Sequence, residues 1–559
     1  MNDEGSISSA YDDFCRSRNW FPRRLISEGL KELEMQLGNG KPVLLLLDLP
    51  TSYGKTTITV SLAKRAIEGN SFFSRIIHVL PMRSIADQLG KEVVSCLKQE
   101  NENGEFERKV AIQHLGLQES PYFAKKVVIT TLDTFVLNFF KAPVKEFSRV
   151  LDERGTHFDF PRAQIYSAFV IFDEFHLFSK LGTGTEDAKA VSKSLTSVLS
   201  AIKSLCLAGV PVIVMTATMP SIMKKLLVKK LGEYGITIIE KIYSKGDDQA
   251  FEEDRRSRTI NFHKIQRDTV PELCERFLRE GKKVLCTFNT VRDAVYCFNE
   301  LKHLDPFLIH GKLPEGIRKK RVDEISSGEN MEENTPNLAV TTQVVESGVN
   351  LSFDVLITAS CPADRLMQRS GRVAREKGAH LGEVYIVEDS KYASFGPYNQ
   401  SICKKTLDLV IEKQQINRDI IDEVYSGESI EVDRGLWEVL SWLDNFVLLD
   451  SANVDRALEF YKGFTDSFGI VTGFMESKVP SAERREFAVG LSEAEAKRVL
   501  KLRKKVVREN EIINLDKDES CLRTLLGAPS LSLELQLQGY EGIALDEFDP
   551  EIGYVWLED

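Results

Sequence analysis

The chain has 559 residues, enough for several domains, and a hydrophobic content of 42% that supports more than one core. Net charge is −11, from 73 basic and 84 acidic residues; this neither announces a nucleic-acid partner nor excludes one, because a protein can line a single cleft with arginine while its outside stays acidic. The nine cysteines are scattered with no C-x-x-C pair, Met1–Ala10 lacks an apolar signal core and the apolar runs are strand-sized, so a disulfide scaffold and a membrane helix are excluded and a cytoplasmic protein with no membrane partner is expected.

Residues 1–35 read as a frayed tip and a short helical lead-in, with Trp20-Phe21-Pro22-Arg23 as its distinctive piece. From 36 to 245 the runs Val43–Asp48, Ile76–Leu80, Val127–Thr131, Phe169–Asp173 and Val212–Thr216 alternate with helix-sized segments. That alternation predicts a parallel sheet with helices on both faces. Lys241–Arg258 is charged and turn-rich and reads as a linker. The pattern restarts with Val284–Phe288, Phe307–His310, Leu338–Thr342, Val355–Thr358 and Val384–Val387, which places a second doubly wound domain over 246–398. Thr406–Gln414, Leu436–Leu449 and Glu493–Arg508 carry helical spacing, so 399–559 is expected to be a mainly helical accessory region. The expected fold is therefore α/β, two tandem doubly wound parallel-sheet domains plus that region.

The polar residues that carry chemistry follow the strands, where open α/β sheets bind ligands. After Val43–Leu47 comes Pro50-Thr51-Ser52-Tyr53-Gly54-Lys55-Thr56-Thr57, opening a helix. Backbone N–H groups there suit phosphate oxygens, Lys55 suits their charge and the Thr56 hydroxyl suits Mg²⁺. The plain alternative is a surface turn, and Leu49 stands where the full phosphate-loop pattern has its first glycine. Asp173-Glu174 closes the strand Val170–Phe172, and two adjacent carboxylates repel unless a cation or a reaction needs them. Asp173 then fits Mg²⁺, and Glu174 the base that orients and deprotonates the attacking water. The alternative is an acidic helix cap. His176 and the Thr216-Ala217-Thr218 turn read as couplers between the acidic pair and the second domain.

In the second domain Thr342 and Gln343 follow a strand and suit phosphate or a partner domain, and Gly348 permits close backbone approach. Gln368-Arg369-Ser370-Gly371-Arg372-Val373-Ala374-Arg375 places arginines beside a strand end. Arg372 and Arg375 are the candidate arginine fingers, and Gln368 is a candidate for holding γ-phosphate or water.

Together PTSYGKT, VLPMRSIADQ, TTLDTF, IFDEFH, MTATMP, TFNTV, TTQVVESGVN and QRSGRVAR resemble the ordered motifs of a superfamily 2 helicase. Within it the chain is similar to the CRISPR-associated helicase of type I interference systems, over about residues 20–395. The resemblance implies two RecA-like domains, ATP and Mg²⁺ as cofactors, and a single-stranded DNA track over Pro81, Arg83, Thr130, Thr131, Asn289, Thr290, Thr342 and Gln343. It also implies a ribose contact from Asn350, where aspartate is typical, and partnership with an RNA-guided surveillance complex. No histidine is followed by aspartate, so an HD nuclease is expected as a separate subunit and the chain as a stand-alone helicase. The glutamine expected to read adenine after Phe21-Pro22-Arg23 is missing. An RNA helicase or remodeller of the same superfamily, and a nucleotide-gated scaffold, remain open beside the DNA motor.

Overall fold

The computed structural model describes residues 6–69, 71–99, 104–114, 117–141, 159–184, 190–255, 259–326, 336–346, 352–374, 381–388, 393–445, 464–465, 470–528 and 530–555. The chain forms two compact units, one from 1–181, 187–256 and 425–466, the other from 182–186, 257–424 and 467–559.

The first unit is built on strands β1 (Val43–Asp48), β2 (Arg75–Leu80), β3 (Val110–His114), β4 (Leu117–Gln118), β5 (Val127–Thr131), β6 (Ala168–Phe172), β7 (Ala190–Ser192), β8 (Val212–Thr216) and β9 (Thr237–Ile242). Eight of them make one sheet in the order β4-β3-β5-β2-β6-β8-β1-β9. Its pairings are parallel except β3 with β4. β1, β2, β5, β6 and β8 are buried almost throughout, because helices cover both faces. Val43, Leu45 and Leu47 join one core cluster with Ile171, Ile213 and Met215. The helix Lys193–Leu207 is buried along nearly its whole length, and its Ser192 cap accepts from Leu195 N.

Residues 6–35 carry two helices that pack into the first unit. Helices Ile7–Ser17 and Arg24–Gly38 bury Ile7, Tyr11, Leu25, Ile26 and Leu30 in the same cluster as β1. Glu34 joins them by accepting from Ser6 Oγ at 2.6 Å and Ile7 N at 3.2 Å. Phe21, in contrast, is 85% exposed, so it does not pack. The expected linker Lys241–Arg258 is also structured for much of its length: it contains the end of β9 and the helix Gln249–Arg255. Later in the chain, Ile430–Val432 returns to pair in parallel with β7.

The second unit contains β10 (Thr259–Ile265), β11 (Val284–Thr287), β12 (Phe307–Ile309), β13 (Leu338–Thr341), β14 (Val355–Ala359) and β15 (Leu381–Val387). They form one all-parallel sheet ordered β10-β15-β14-β11-β13-β12. Both sheets are doubly wound and RecA-like, as expected. Beyond residue 399 helix outweighs strand, in keeping with the sequence, and a five-stranded sheet adds what periodicity did not show. The expected helix Glu493–Arg508 ends at Arg503, where Lys504 takes φ 54°, and Lys505–Arg508 becomes a strand of that sheet. Of the expected helix Leu436–Leu449, the structure describes Arg434–Asn445.

Candidate nucleotide-hydrolysis site

β1 ends at Asp48, paired in register with Thr216 of β8, and the loop 49–54 leaves from that point. Gly54 caps the helix Lys55–Glu68 with φ 96°, a left-handed conformation that favours glycine. Ser52 also has positive φ, at 65°. Lys55 turns back over the loop: its Nζ donates to Leu49 O at 2.8 Å and lies 3.5 Å from Thr216 O. Its partners are neutral carbonyls, and it makes no ion pair among the described residues. A positive group held this way at a helix N-terminus is suited to an anion.

Tyr53 contributes backbone only. Its side chain is fully buried and its hydroxyl donates to Asp248 Oδ2 at 2.9 Å. Tyr243 and Phe251 meet its ring edge-on, and the Arg23 guanidinium lies 5.6 Å from its centroid. The aromatic residue anchors the loop to the structured segment 243–252.

At the end of β6, Asp173 Oδ1 accepts from Glu174 N at 2.7 Å, and Oδ2 lies 3.5 Å from His78 Nε2 on β2. Burial works to raise the Asp173 carboxyl, but the His78 contact and the Lys55 charge outweigh it, and the group is held below the ordinary carboxylate range. Thr56 and Asp173 offer a hydroxyl and an ionised carboxylate, the hard oxygen donors that Mg²⁺ takes.

Glu174 adopts φ 49° at the start of the 3₁₀ turn Phe175–Phe178. Its Oε2 lies 3.7 Å from His176 Nδ1, and that nitrogen is 3.0 Å from Thr216 Oγ1. Thr216 Oγ1 in turn accepts from Thr218 N at 3.3 Å. Hydrogen bonds through Thr216 Oγ1 therefore link His176 to the Thr218 backbone, with the Glu174 carboxylate 3.7 Å from the same His176 nitrogen. Thr218 Oγ1 is buried without a hydrogen-bond partner among the described residues, a group left available for a second arrangement.

The second unit has its own polar centre. Arg369, fully buried, donates to Glu346 Oε1, Thr358 Oγ1 and Asn289 Oδ1 at 2.8, 2.8 and 2.9 Å. Burial opposes its charge, but Cys361 and Glu346 outweigh burial and raise the guanidinium further. Arg372 donates from Nη2 to Glu346 O at 2.7 Å, and Gln368 is buried beside them. Arg375, Gly348 and Asn350 lie outside the described residues.

Several positions matched to a nucleic-acid track turn inward. Thr130 Oγ1 donates to Gln113 O at 2.6 Å, and Thr131 Oγ1 is 3.2 Å from Thr134 Oγ1. The Asn289 amide donates to the Ser360, Ser394 and Phe395 carbonyls and accepts from Arg369. Side-chain phosphate contacts by Thr130 and Asn289 are corrected for this conformation, since those groups are buried and already bonded. Thr342 is buried as well, with its N donating to Ile309 O. Thr290 caps a helix through Asp293, and Gln343 Nε2 donates to Asn289 O at 2.7 Å. Pro81 and Arg83 are half-buried at the end of β2 and so keep exposed surface.

Two protein families match the chain: the DEAD/DEAH box helicase family over residues 33–226, and the C-terminal part of the CRISPR-associated nuclease/helicase Cas3 family over 280–378. The matched segments are thus similar to a DEAD/DEAH box helicase domain and to a Cas3-like C-terminal domain. The CRISPR-associated helicase Cas3 of Thermoproteus tenax is 23% identical over 413 residues, covering 70% of this chain and 65% of the relative. The crystal structure of T. fusca Cas3 matches with a TM-score of 0.58 at 15% identity, covering 86% of this chain and 65% of that one. A chain of a CRISPR RNA-guided surveillance complex in a pre-nicking state matches with a TM-score of 0.52 at 16% identity, covering 86% and 64%. The chain spans 60–65% of the length of the curated Cas3 relatives that it matches over most of its own length.

Sequence reasoning missed His78 and Thr59 beside Asp173 in the first unit, and Arg369 as the centre of the polar cluster in the second. A signal existed for the first: His78 is the one polar residue inside the apolar run Ile76–Leu80.

Proposed function

We propose that this chain is an ATP-driven motor of the Cas3 type, stimulated by single-stranded DNA, that translocates on DNA and unwinds duplex in CRISPR type I interference. The observation that carries the reading is the placing of the Glu174 carboxylate, suited to activating water, 3.7 Å from His176, whose Nδ1 is bonded through Thr216 to the Thr218 backbone in a strand-end turn beside the phosphate loop. Loop N–H groups and Lys55 bind the triphosphate, and Lys55 leaves the Leu49 and Thr216 carbonyls to do so. Thr56 and Asp173 would hold Mg²⁺, which would supply positive charge against the triphosphate. Glu174 orients the water and takes its proton. His176 passes the state of Glu174 to Thr216, which bonds the backbone of Thr218. Arg372 supplies transition-state charge and must first release the Glu346 carbonyl.

The partners follow from the same reading. The pre-nicking complex in which a similar chain sits supports recruitment by an RNA-guided surveillance complex. The nuclease that would act with such a motor is proposed as a separate subunit, in line with the absence of a histidine–aspartate pair in the sequence. Among the described residues no helix is long and apolar enough to cross a membrane.

The test is the ATPase rate with single-stranded DNA, duplex DNA and RNA, with Lys55→Ala as the blank. Stimulation by single-stranded DNA, abolished in the blank, is expected. Stimulation by RNA alone would assign an RNA motor instead. A wild-type rate no higher than that of Glu174→Gln would assign a nucleotide-gated scaffold. If the strand is held by about five phosphate contacts, log K falls with log[salt] at a slope near roughly −3.5.

A further inference from the structure

His78 sits in the middle of the first sheet, on β2, beside Ile129 of β5 and Ile171 of β6, and has no exposed surface. Its neighbours along the strand, Ile76, Ile77, Val79 and Leu80, are what a buried parallel strand needs. An imidazole in that place must find polar partners or cost stability. It has two directions in which to find them. Nδ1 is 2.9 Å from Thr59 Oγ1, and Nε2 lies 3.5 Å from Asp173 Oδ2. Nε2 is buried with no hydrogen-bond partner among the described residues, and the Asp173 carboxylate is the charged group it faces.

Thr59 is itself fully buried, one helical turn after Lys55 on the helix that opens at the phosphate loop. The imidazole thus spans from the phosphate-binding helix to the strand end that carries the acidic pair. The tautomer follows from the donors available. An ionised carboxylate only accepts, so Nε2 carries the proton toward Asp173, and Nδ1 accepts the Thr59 hydroxyl proton. The chain runs Thr59 O–H to Nδ1, then Nε2–H toward Oδ2.

The geometry points to His78 as a positioning residue that holds the Asp173 carboxylate in the orientation it needs to receive Mg²⁺, with Thr59 fixing the ring from the phosphate-loop helix. This rests on the nucleotide reading proposed above. A metal-binding carboxylate left free to rotate pays in affinity for being ordered at the moment of binding; one aimed in advance does not. Because Thr59 and Lys55 share a helix, the same link ties the aim of Asp173 to the place of the phosphate loop. A histidine retained only for packing would have no such effect.

The test uses the full chain, the variants His78→Phe, His78→Gln and Thr59→Val, and binding of a fluorescent, slowly hydrolysed ATP analogue with Mg²⁺ and with EDTA. Binding is read without turnover, and a thermal melt checks folding. For His78→Phe, Kd with Mg²⁺ should rise about tenfold while Kd in EDTA stays within about twofold, as expected when an outer partner of a metal ligand is lost. His78→Gln, whose amide N–H can reach Asp173, should recover most of the loss, and Thr59→Val should show a smaller loss in the same direction.

Undiminished Mg²⁺ tightening in His78→Phe would overturn the proposal. So would an equal loss of affinity in Mg²⁺ and EDTA, which is the mark of a packing role. If His78→Phe lacks a cooperative melt, Thr59→Val decides, and wild-type Mg²⁺ tightening in that variant overturns the proposal. Wild-type binding by Lys55→Ala would instead defeat the nucleotide reading, and the His78 proposal with it.

Discussion

Arg369 donates from Nε to Glu346 Oε1 at 2.8 Å, and neither side chain has appreciable exposure. The pair joins the segment after β13 to the helix Ala363–Ser370 at the centre of the second unit. Removing one partner leaves the other charge buried and unmatched. Glu346→Leu and Arg369→Met should each destabilise that unit by about 3–5 kcal/mol, and the double variant should be less destabilised than the sum of the two. Denaturant unfolding followed by a probe in the second unit checks this. Additive losses would show that the two charges are not coupled.

Thr216 Oγ1 bridges His176 and the Thr218 backbone, so valine at that position keeps the volume and removes the bond. Thr216→Val should lower the nucleic-acid-stimulated rate about tenfold, the equivalent of one hydrogen bond, with KM for ATP little changed. Steady-state kinetics with saturating single-stranded DNA measures it. A rise in KM with an intact maximal rate would place Thr216 in nucleotide binding instead.

Tyr53 offers a graded test of the loop anchor. Losing the hydroxyl bond to Asp248 in Tyr53→Phe should cost about 1 kcal/mol. Tyr53→Ala also empties the space between Tyr243 and Phe251 and should cost about 3–5 kcal/mol. Urea midpoints of the first unit distinguish the two. Equal effects would mean that the ring does not hold the loop.

His310 gives a pH dependence with a definite sign. Burial, aided by Arg321, Arg318 and Lys312, pulls its pKa down to about 3, so the folded chain keeps it neutral where the unfolded chain protonates it. Its contribution is fully present above the unfolded pKa and is lost as pH falls from there toward the folded value. Between about pH 6.5 and pH 5 the second unit should lose about 2 kcal/mol from this residue. His310→Phe should flatten that part of the profile in calorimetric melts. An unchanged slope would assign the pH dependence to other groups.

Much of this architecture could be read from the chain because parallel strands buried on both faces are written as continuous apolar runs. Val43–Asp48, Val127–Thr131 and Val212–Thr216 appear in the structure with the same limits. Strands without that signature escaped: β9 is half-exposed along Thr237–Ile242, and β10 alternates polar and apolar residues. At the site, residues placed just after strands were legible, since Lys55, Asp173, Glu174 and Thr216 all lie there. Side-chain direction was not. Thr130 and Asn289 occupy expected positions, but their hydroxyl and amide are spent on carbonyls from distant parts of the chain. Arg369 stood in view among three arginines, and only its burial against Glu346 separates it from Arg372.

The first unit draws its last pieces from far along the chain. Ile430–Val432 pairs with β7, Arg162 meets Asp444, and Ser197 Oγ donates to Phe464 O. During synthesis the phosphate loop and acidic pair leave the ribosome some hundreds of residues before those partners exist. A fragment cut at residue 398 therefore holds every motif of the motor, yet leaves the edge of β7 without its mate and a buried guanidinium without its carboxylate. The smallest stretch that bears the chemistry and the smallest stretch that can fold are, in this chain, different lengths.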